Sequence, residues 1–395
     1  MLIRFRLWSL AVLGLVVVCA LALAACGTEK EGGDTTSSAS AGGDCKPSSE
    51  AKAEYDKAWE QGKQALGLSE LEIPDFEVCE VDTSEWKTEE PSGGYKIAFA
   101  AQGPTNSWAA ENEEAFKTKA DELGVEELYA SADGDATKQV DNIQQLASQE
   151  PDAMVVVPMG SSITGQVKAA SAQGIPVVSC AGLIDESSGV VSTVTRSYEL
   201  QGELWAEWVA KQIGGKGRIA MLSGIAGVPT AEFPKEAAEK LFAEKYPEIE
   251  VVSKQYTDWS PTKAKTVAAS LVSKNLDAIW TDSSFSALGV YEAYKEAGKP
   301  VPPVTGDASN AYLKAIDGVD GVEFALSPFP PEMSTQCLET AVSILKGEPV
   351  LNFVNVQAPA FTNKEIKEFI RPECSENLWV PTKLSEQELK ALKLC

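Results

Sequence analysis

The chain has 395 residues, with 34 Lys and Arg against 58 Asp and Glu, a net charge of −24 and no histidine. This negative charge repels nucleic acids and anionic lipid surfaces, which argues against both as partners. Without histidine, the chain can form neither a Ser-His-Asp or Cys-His catalytic arrangement nor a His-containing zinc site. Carboxylates, lysines and hydroxyls are left as catalysts, so the composition disfavours an enzyme without excluding one.

The first residues are typical of an export signal. Two arginines precede an apolar run that ends in LALAACG. A charged start, a short apolar segment and small residues at its end predict a signal peptide over residues 1–25 rather than a transmembrane helix. The sequence LAAC, which ends at Cys26, resembles the lipobox of bacterial lipoproteins. The resemblance implies that Cys26 is acylated and begins the mature chain; an ordinary signal peptide with a chance cysteine is the alternative.

A tract rich in Gly, Ser, Thr and Ala follows Cys26 and shows no apolar periodicity. Such a composition cannot bury a core, so residues 26–44 are predicted to be a flexible tether. A lipid followed by a tether predicts a protein that is anchored to the outer face of the bacterial cell membrane without spanning it.

Six cysteines follow Cys26, an even number that indicates disulfides in an exported protein. They are Cys45, Cys79, Cys180, Cys337, Cys374 and Cys395. We expect the local pairs Cys45–Cys79 and Cys374–Cys395, which leaves Cys180–Cys337 by elimination. CxxC spacing does not occur, which gives no support for redox catalysis or a thiolate metal site, and we predict no metal and no cofactor.

From Tyr95 onward, short β-rich runs alternate with stretches of helical periodicity. The predicted strands are YKIAFA, VEELYAS, AMVVVPM, IPVVSCA and VVSTVTR, followed by GRIAMLSG, IEVVSKQYT, LDAIWTD, PPVTGD and GVEFALS. Apolar strands separated by helices predict parallel sheets that are covered on both faces. Ten strands exceed one small sheet, so we predict an α/β chain with two doubly wound lobes. Before them, one exposed helix from Pro47 to Gly67 and an irregular connector to Gly94 are expected.

Segments from both halves of the chain resemble periplasmic sugar-binding proteins of the ribose and galactose type. They are IAFAAQGPTNSWAAENEEAFKTKADELGV, DATKQVDNIQQLASQEPDAMVVVP and AASAQGIPVVSCA, then GIAGVPTAEF, LDAIWTDSSFSALGVYEAYKEAGK, VTGDASNAYLKAI and ILKGEPV. The resemblance covers residues 95–360 in order. It implies a type I periplasmic binding protein fold, in which two lobes joined by three crossovers close on a small-molecule ligand. It also implies delivery of that ligand to the permease of an ABC importer, by a protein that we expect to be a monomer.

The resemblance divides the chain into further regions. They are an N-terminal extension (45–94), lobe 1 (95–196 and 328–356), lobe 2 (197–327 and 357–371) and a C-terminal segment (372–395). By analogy, the crossovers fall near residues 196, 327 and 356.

The candidate site follows from where ligands bind in open parallel sheets, at the carboxyl ends of strands. The resemblance assigns ring stacking to Trp108, hydrogen bonding to Asn106, a second aromatic to Trp259 and a hydroxyl-binding acid to Asp307. With the other strand ends, the candidate ligand-binding residues are Asn106, Trp108, Arg196, Tyr198, Trp259, Asp282, Ser283, Phe285, Asp307 and Ser327.

The chain departs from the ribose-type pattern at several of these strand ends. Ala181-Gly182 stands where an Asp-Arg pair is usual, and Ser327 or Pro328 stands where a glutamine is usual. The departures argue against ribose itself as the ligand.

Five of these ten candidates also have a purely structural explanation. Trp108 and Trp259 would pack in the core, Asp282 and Asp307 would cap helices, and Arg196 would pair with a surface acid across the hinge.

The sequence also leaves alternative ligands and functions open. Two aromatic rings with a polar rim suit a monosaccharide, but the same rings beside two acids also suit a cationic or aromatic small molecule. The protein would alternatively be a receptor that presents its closed form to a membrane sensor. A glycosidase that uses Asp282 and Asp307 as its paired carboxylates is a remote alternative.

Overall fold

The computed structural model describes residues 45–68, 70–73 and 76–395. The predicted signal peptide, the acylation of Cys26 and the tether lie outside these residues, as does the side chain of Cys45. Among the helices of the described residues, none is both long and apolar enough to cross a bilayer.

Strands and helices alternate through most of the described chain. In chain order the elements are β1 (Cys45–Pro47), α1 (Ser49–Leu66), β2 (Cys79–Val81), β3 (Lys96–Ala101), α2 (Ser107–Leu123), β4 (Glu126–Ser131), α3 (Ala136–Ala147), β5 (Ala153–Val156), α4 (Thr164–Ala172), β6 (Val177–Cys180), β7 (Val190–Thr195), α5 (Tyr198–Gln212), β8 (Lys216–Ser223), α6 (Pro229–Lys245), β9 (Glu248–Tyr256), α7 (Pro261–Leu271), β10 (Ala278–Thr281), α8 (Ser284–Glu296), β11 (Val304–Gly306), α9 (Asn310–Ile316), β12 (Phe324–Leu326), α10 (Met333–Lys346), β13 (Val350–Leu351), β14 (Phe353–Asn355), β15 (Phe361–Thr362), α11 (Ile366–Phe369) and α12 (Glu386–Ala391).

Two six-stranded sheets define the two lobes, and the predicted α/β architecture with two lobes is confirmed. The sheet of lobe 1 has the order β14-β7-β6-β5-β3-β4, with parallel neighbours throughout. The sheet of lobe 2 has the order β15-β12-β11-β10-β8-β9, and only its edge strand β15 runs antiparallel. The chain passes between the sheets three times: after β7, after β12 and after β14.

The strands are apolar because helices cover both faces of each sheet. All four residues of β5, of β6 and of β10 are buried. Helix α3 shows the matching helical pattern: Ile143, Leu146 and Ala147 are buried on one face, and Asp135 caps its N-terminus. Each of the ten predicted strands has its counterpart among β3 to β12.

The prediction of an exposed helix in the N-terminal extension is wrong about its exposure. Helix α1 exists, but its Tyr55 and Trp59 are buried in a cluster with Leu204 and Trp205 of α5. The connector also holds β2, which pairs with β1 on one side and β13 on the other. Aromatic side chains at spacing i, i+4 provide the apolar face that binds the helix to lobe 2.

Disulfides join distant parts of the described chain. Cys180 at the end of β6 is bonded to Cys337 in α10, and Cys374 is bonded to Cys395. Both pairs are those expected from the sequence. Cys79 is disulfide-bonded as well.

Removing the Cys180–Cys337 bond should destabilise lobe 1. The bond closes a sequence separation of 157 residues, and loss of so long a cross-link increases the entropy of the unfolded chain. We expect the double variant Cys180→Ala/Cys337→Ala to lose about 2–4 kcal/mol of unfolding free energy relative to the wild type in urea titrations without added reductant.

The matched control is Cys374→Ala/Cys395→Ala, which opens a separation of only 21 residues. In the chain-entropy description it should lose less. Unchanged stability of the first double variant would contradict a structural role for the bond.

Candidate functional site

A network of hydrogen bonds around Ser327 joins the three crossings between the lobes. The fully buried Ser327 hydroxyl donates to Gln201 Oε1 at 2.6 Å and accepts from Gln357 Nε2 at 2.7 Å. The Ser327 carbonyl accepts from Arg196 Nη1 at 3.1 Å. Arg196, Ser327 and Gln357 belong to the first, second and third crossing respectively, so one buried serine connects all of them.

Arg196 is buried at the hinge with only 4% of its surface exposed. Its guanidinium lies over the ring of Phe329, 4.4 Å from the centroid, and donates to the carbonyls of the second crossing. Burial lowers its pKa, and the nearby Tyr198, Asp307 and Asp282 oppose that shift. The alternative that Arg196 pairs with a surface acid is therefore wrong, because its partners are backbone carbonyls inside the hinge.

The two carboxyl groups of lobe 2 do not cap their own helices, so that alternative is also wrong. Ser283 caps α8 and Ser309 caps α9. Asp282 Oδ2 instead accepts the backbone N–H of Gly224 at 2.8 Å, which ties the end of β10 to the end of β8. Its Oδ1 is buried and has no hydrogen-bond partner among the described residues.

The environments of the two carboxyls set their protonation. Burial raises the pKa of Asp282 to about 8, while the N–H of Gly224 and the Trp259 side chain oppose the rise and Asp307 adds to it. Burial also raises the pKa of Asp307, but only to about 6. Asp307 Oδ1 accepts two bonds from Ser284, at 2.6 Å from the backbone N–H and 2.8 Å from the hydroxyl, and Arg196 favours its charge.

Trp259 lies on the backbone at the end of β8. A Cβ at Gly224 would overlap the indole of Trp259, so only glycine permits this contact. Asp258 and Trp259 both adopt left-handed backbone conformations, with φ of 53° and 50°. Such strain in non-glycine residues persists only where surrounding structure imposes it, and it is found often at ligand sites.

In lobe 1, the turn GPTNSW is held by packing and capping. Asn106 caps α2, and its Oδ1 accepts the backbone N–H of Ala109 at 2.9 Å. Trp108 stacks on Phe329 with ring centroids 5.4 Å apart, and its Nε1 donates to the Phe329 carbonyl at 2.9 Å. Trp108 is thus 9% exposed and joins lobe 1 to the second crossing.

Tyr198 at the start of α5 contacts lobe 1, and Phe285 in α8 contacts the C-terminal segment. The Tyr198 hydroxyl donates to the carbonyl of Ala181 at 2.6 Å and accepts from Thr195 Oγ1 at 3.0 Å. Burial raises its pKa to about 12. The ring of Phe285 makes an edge contact with Trp379, with centroids 5.2 Å apart.

Sequence reasoning missed Gln201, Gln357, Phe329 and Trp379. Gln357 was recognised only as part of a crossing, and Phe329 follows the second crossing directly. Their positions beside the predicted hinge were the available signal. Gln201 lies inside α5 and Trp379 in the C-terminal segment, and neither belongs to a recognisable motif. In the ranges 45–68, 70–73 and 76–395, His, Cys, Asp and Glu form no group of three or more that would hold a metal ion.

The sequence profile of the family described as "Periplasmic binding protein domain" matches residues 97–349. The chain belongs to this family. The sequence-based assignment to the type I periplasmic binding proteins is confirmed, with its two parallel-sheet lobes. The family is one of extracytoplasmic solute-binding proteins.

Named relatives of this periplasmic binding protein bind small polyhydroxylated molecules. The xylitol-binding protein of Mycolicibacterium smegmatis is 27% identical over 293 residues, 72% of this chain and 83% of its own length. The ribose import binding protein of Bacillus subtilis is 26% identical over 295 residues, 72% of this chain and 94% of its own. A solved ABC transporter solute-binding protein from Mycobacterium smegmatis with bound glycerol is 26% identical, with TM-score 0.63, and covers 71% of this chain and 98% of its own.

A buried acidic pair, Glu111 and Glu332, lies between α2 and the segment before α10. Glu111 of α2 is 4% exposed, and neither of its carboxylate oxygens has a hydrogen-bond partner among the described residues. Burial raises the pKa of Glu111 to about 9, Glu332 adds to the rise, and the backbone N–H of Trp379 opposes it. Burial raises the pKa of Glu332 as well.

Glu111→Gln should stabilise the protein at alkaline pH. The pKa of Glu111 rises from 4.5 to about 9 on folding, so the stability contributed by its protonated form is complete below pH 4.5 and is lost as the pH rises toward 9. Glutamine does not ionise and escapes this loss. We expect a gain on the order of 2 kcal/mol at pH 8 and little change at pH 4.5, measured by urea unfolding.

The control is Glu114→Gln, an exposed position on the same helix. It should change stability little at either pH. An equal effect of Glu111→Gln at both pH values would show that the buried charge is not the cause.

Proposed function

We propose that this protein captures a neutral monosaccharide or a related polyol between its lobes and delivers it to an ABC importer, without catalysis. One observation carries the proposal. Four buried polar atoms around the hinge have no hydrogen-bond partner among the described residues: Arg196 Nε, Gln201 Nε2, Asp282 Oδ1 and Gln357 Oε1. A buried polar group without a partner costs about 1–3 kcal/mol, so such a cluster favours a ligand that supplies the partners.

The chemistry of these atoms favours hydroxyl groups. Arg196 Nε and Gln201 Nε2 are donors, and Gln357 Oε1 is an acceptor. Asp282 Oδ1 accepts when the carboxyl is ionised and is able to donate when it is protonated. A hydroxyl both donates and accepts, so a molecule with several hydroxyls satisfies a mixed set that a purely cationic ligand leaves half unpaired.

The charge balance favours a neutral ligand. With a pKa of about 8, Asp282 is mostly protonated near neutral pH, whereas Asp307 with a pKa of about 6 is mostly ionised. Arg196 then balances Asp307, which removes the negative charge that a cationic ligand would need. The relatives support this choice, since their names specify xylitol and ribose, both neutral.

The aromatic rings would provide the apolar part of the site. The strained Trp259 on lobe 2 and the Trp108–Phe329 stack at the second crossing provide flat surfaces for the C–H faces of a sugar. Trp108 is already hydrogen-bonded and packed within the protein. We therefore expect the affinity for ligand to depend more on the ring of Trp259 than on that of Trp108.

Trp259→Ala should weaken binding while it leaves the ligand-free protein stable. Xylitol, D-ribose, myo-inositol and a set of amines are first compared by thermal shift, and the best ligand is then titrated by calorimetry. We expect a neutral polyol to bind and Trp259→Ala to lose about 2–4 kcal/mol of binding free energy, roughly 30- to 1000-fold in affinity.

The matched control is Trp86→Ala, which removes a partly buried tryptophan in the connector before β3. It should not alter affinity. If amines bind and polyols do not, the neutral-ligand proposal fails. If Trp259→Ala melts much earlier yet binds normally, Trp259 belongs to the core instead of the site.

We further propose that the protein is attached to the outer face of the membrane by acylation of Cys26. The LAAC sequence supports this proposal. Cys26→Ser should accumulate in unprocessed form and should not incorporate a fatty-acid probe, because serine lacks the thiol that would carry the lipid. Equal labelling of the wild type and the variant would rule out this anchor.

A further inference from the structure

The C-terminal segment, residues 372–395, is attached to lobe 2. Its Leu378, Val380 and Leu394 are buried in the apolar cluster of that lobe, which also contains Tyr312 and Phe324. The Cys374–Cys395 bond closes the segment into a loop. The segment follows the last strand of lobe 2 and lies beyond residues 97–349, the part of the chain that the family profile matches.

The backbone of this segment pairs with the loop that follows Asp307. The N–H of Asn310 donates to the carbonyl of Leu378 at 2.8 Å, and the N–H of Val380 donates to the carbonyl of Ala308 at 3.2 Å. These two bonds flank Trp379, so its position is fixed next to a residue of the proposed cleft.

The side chain of Trp379 leaves lobe 2 and packs in lobe 1. It is 2% exposed and belongs to the apolar cluster of lobe 1. Its Nε1 donates to Ser107 Oγ at 3.3 Å, in the turn between Asn106 and Trp108. Its ring also meets the edge of Phe285 in α8 of lobe 2.

A second contact of the segment reaches the same region of lobe 1. The backbone N–H of Lys383 donates to Glu332 Oε1 at 2.6 Å, just before α10. The segment thus holds lobe 2 by its apolar side chains and lobe 1 by Trp379 and Lys383.

We propose that Trp379 forms the outer wall of the binding cleft and controls access to it. Two of its side-chain contacts involve the candidate site: Ser107 lies between Asn106 and Trp108, and Phe285 is itself a candidate. Its backbone partner Ser309 lies two positions after Asp307. The lobes cannot separate along this edge unless the indole leaves lobe 1. A ligand enters or leaves the cleft when that contact breaks. This inference rests on the proposed cleft, but it concerns a residue outside the part of the chain that the family profile matches.

Access to the cleft can be measured without a sugar by the rate at which N-ethylmaleimide labels an introduced cysteine in the full chain. Ser283→Cys places a thiol at a candidate site residue that is 1% exposed. Adding Trp379→Ala should raise its labelling rate at least tenfold. Trp379→Phe keeps an aromatic ring in lobe 1 but loses the N–H and part of the ring area, so it should raise the rate less than Trp379→Ala does.

A second cysteine separates gating from unfolding. Ala220→Cys places a thiol in β8, in the core of lobe 2, where labelling reports loss of the fold. Trp379→Ala should leave that rate unchanged. If Trp379→Ala folds poorly, Ser107→Ala removes only the acceptor of the indole N–H and should still raise labelling at Ser283→Cys about twofold or more.

Two results would overturn the inference. One is an unchanged labelling rate at Ser283→Cys in both Trp379→Ala and Ser107→Ala. The other is an equal rise at Ser283→Cys and Ala220→Cys, which would mean that Trp379 only stabilises the fold. Because no sugar is used, failure of the polyol screen and failure of this inference are separate results.

Discussion

The arrangement of the two lobes depends on the hydrogen bonds that the buried residue Ser327 makes with the other two crossings. The Ser327 hydroxyl donates a hydrogen bond to Gln201 and accepts one from Gln357. The Ser327 backbone carbonyl accepts a hydrogen bond from Arg196. Because Ser327 is fully buried, water cannot replace a hydrogen-bonding partner that is removed, and the remaining polar groups are left unpaired. This small polar centre between two apolar cores holds the three crossings together, and with them the strand ends at which we propose that the ligand binds.

Two segments outside the family's matched region add contacts between the lobes. In the N-terminal extension, α1 packs on α5 of lobe 2, while β2 pairs with β13, which leads into lobe 1. In the C-terminal segment, apolar residues hold lobe 2 and Trp379 holds lobe 1. Each lobe movement must therefore rearrange contacts that the three crossings alone do not impose. We infer that these additions narrow the range of open states available to the protein.

The strands that form the lobes could be predicted because burial on both faces makes them continuously apolar, as in AMVVVPM and IPVVSCA. Strands β13, β14 and β15 were not predicted, since two or three residues are too short to show a period. The acids Asp282 and Asp307 were placed at strand ends correctly, but their protonation depends on burial and on Gly224, Ser284 and Arg196. The partners of Trp108 and Trp379 are likewise distant in sequence, and no local pattern indicates them.

The protonation of Asp282 connects the fold to the choice of ligand. Burial keeps its carboxyl mostly neutral near pH 7, and the charges of Arg196 and Asp307 balance each other, so the buried group of residues is near charge balance. In an open cleft, water would solvate both acids, and their pKa values would fall toward those of exposed carboxyls. We therefore expect Asp282 to take up a proton when the proposed cleft closes on a neutral, hydroxyl-rich molecule. A cation would keep Asp282 ionised and would leave Arg196 repelled by the ligand inside a site from which water is excluded.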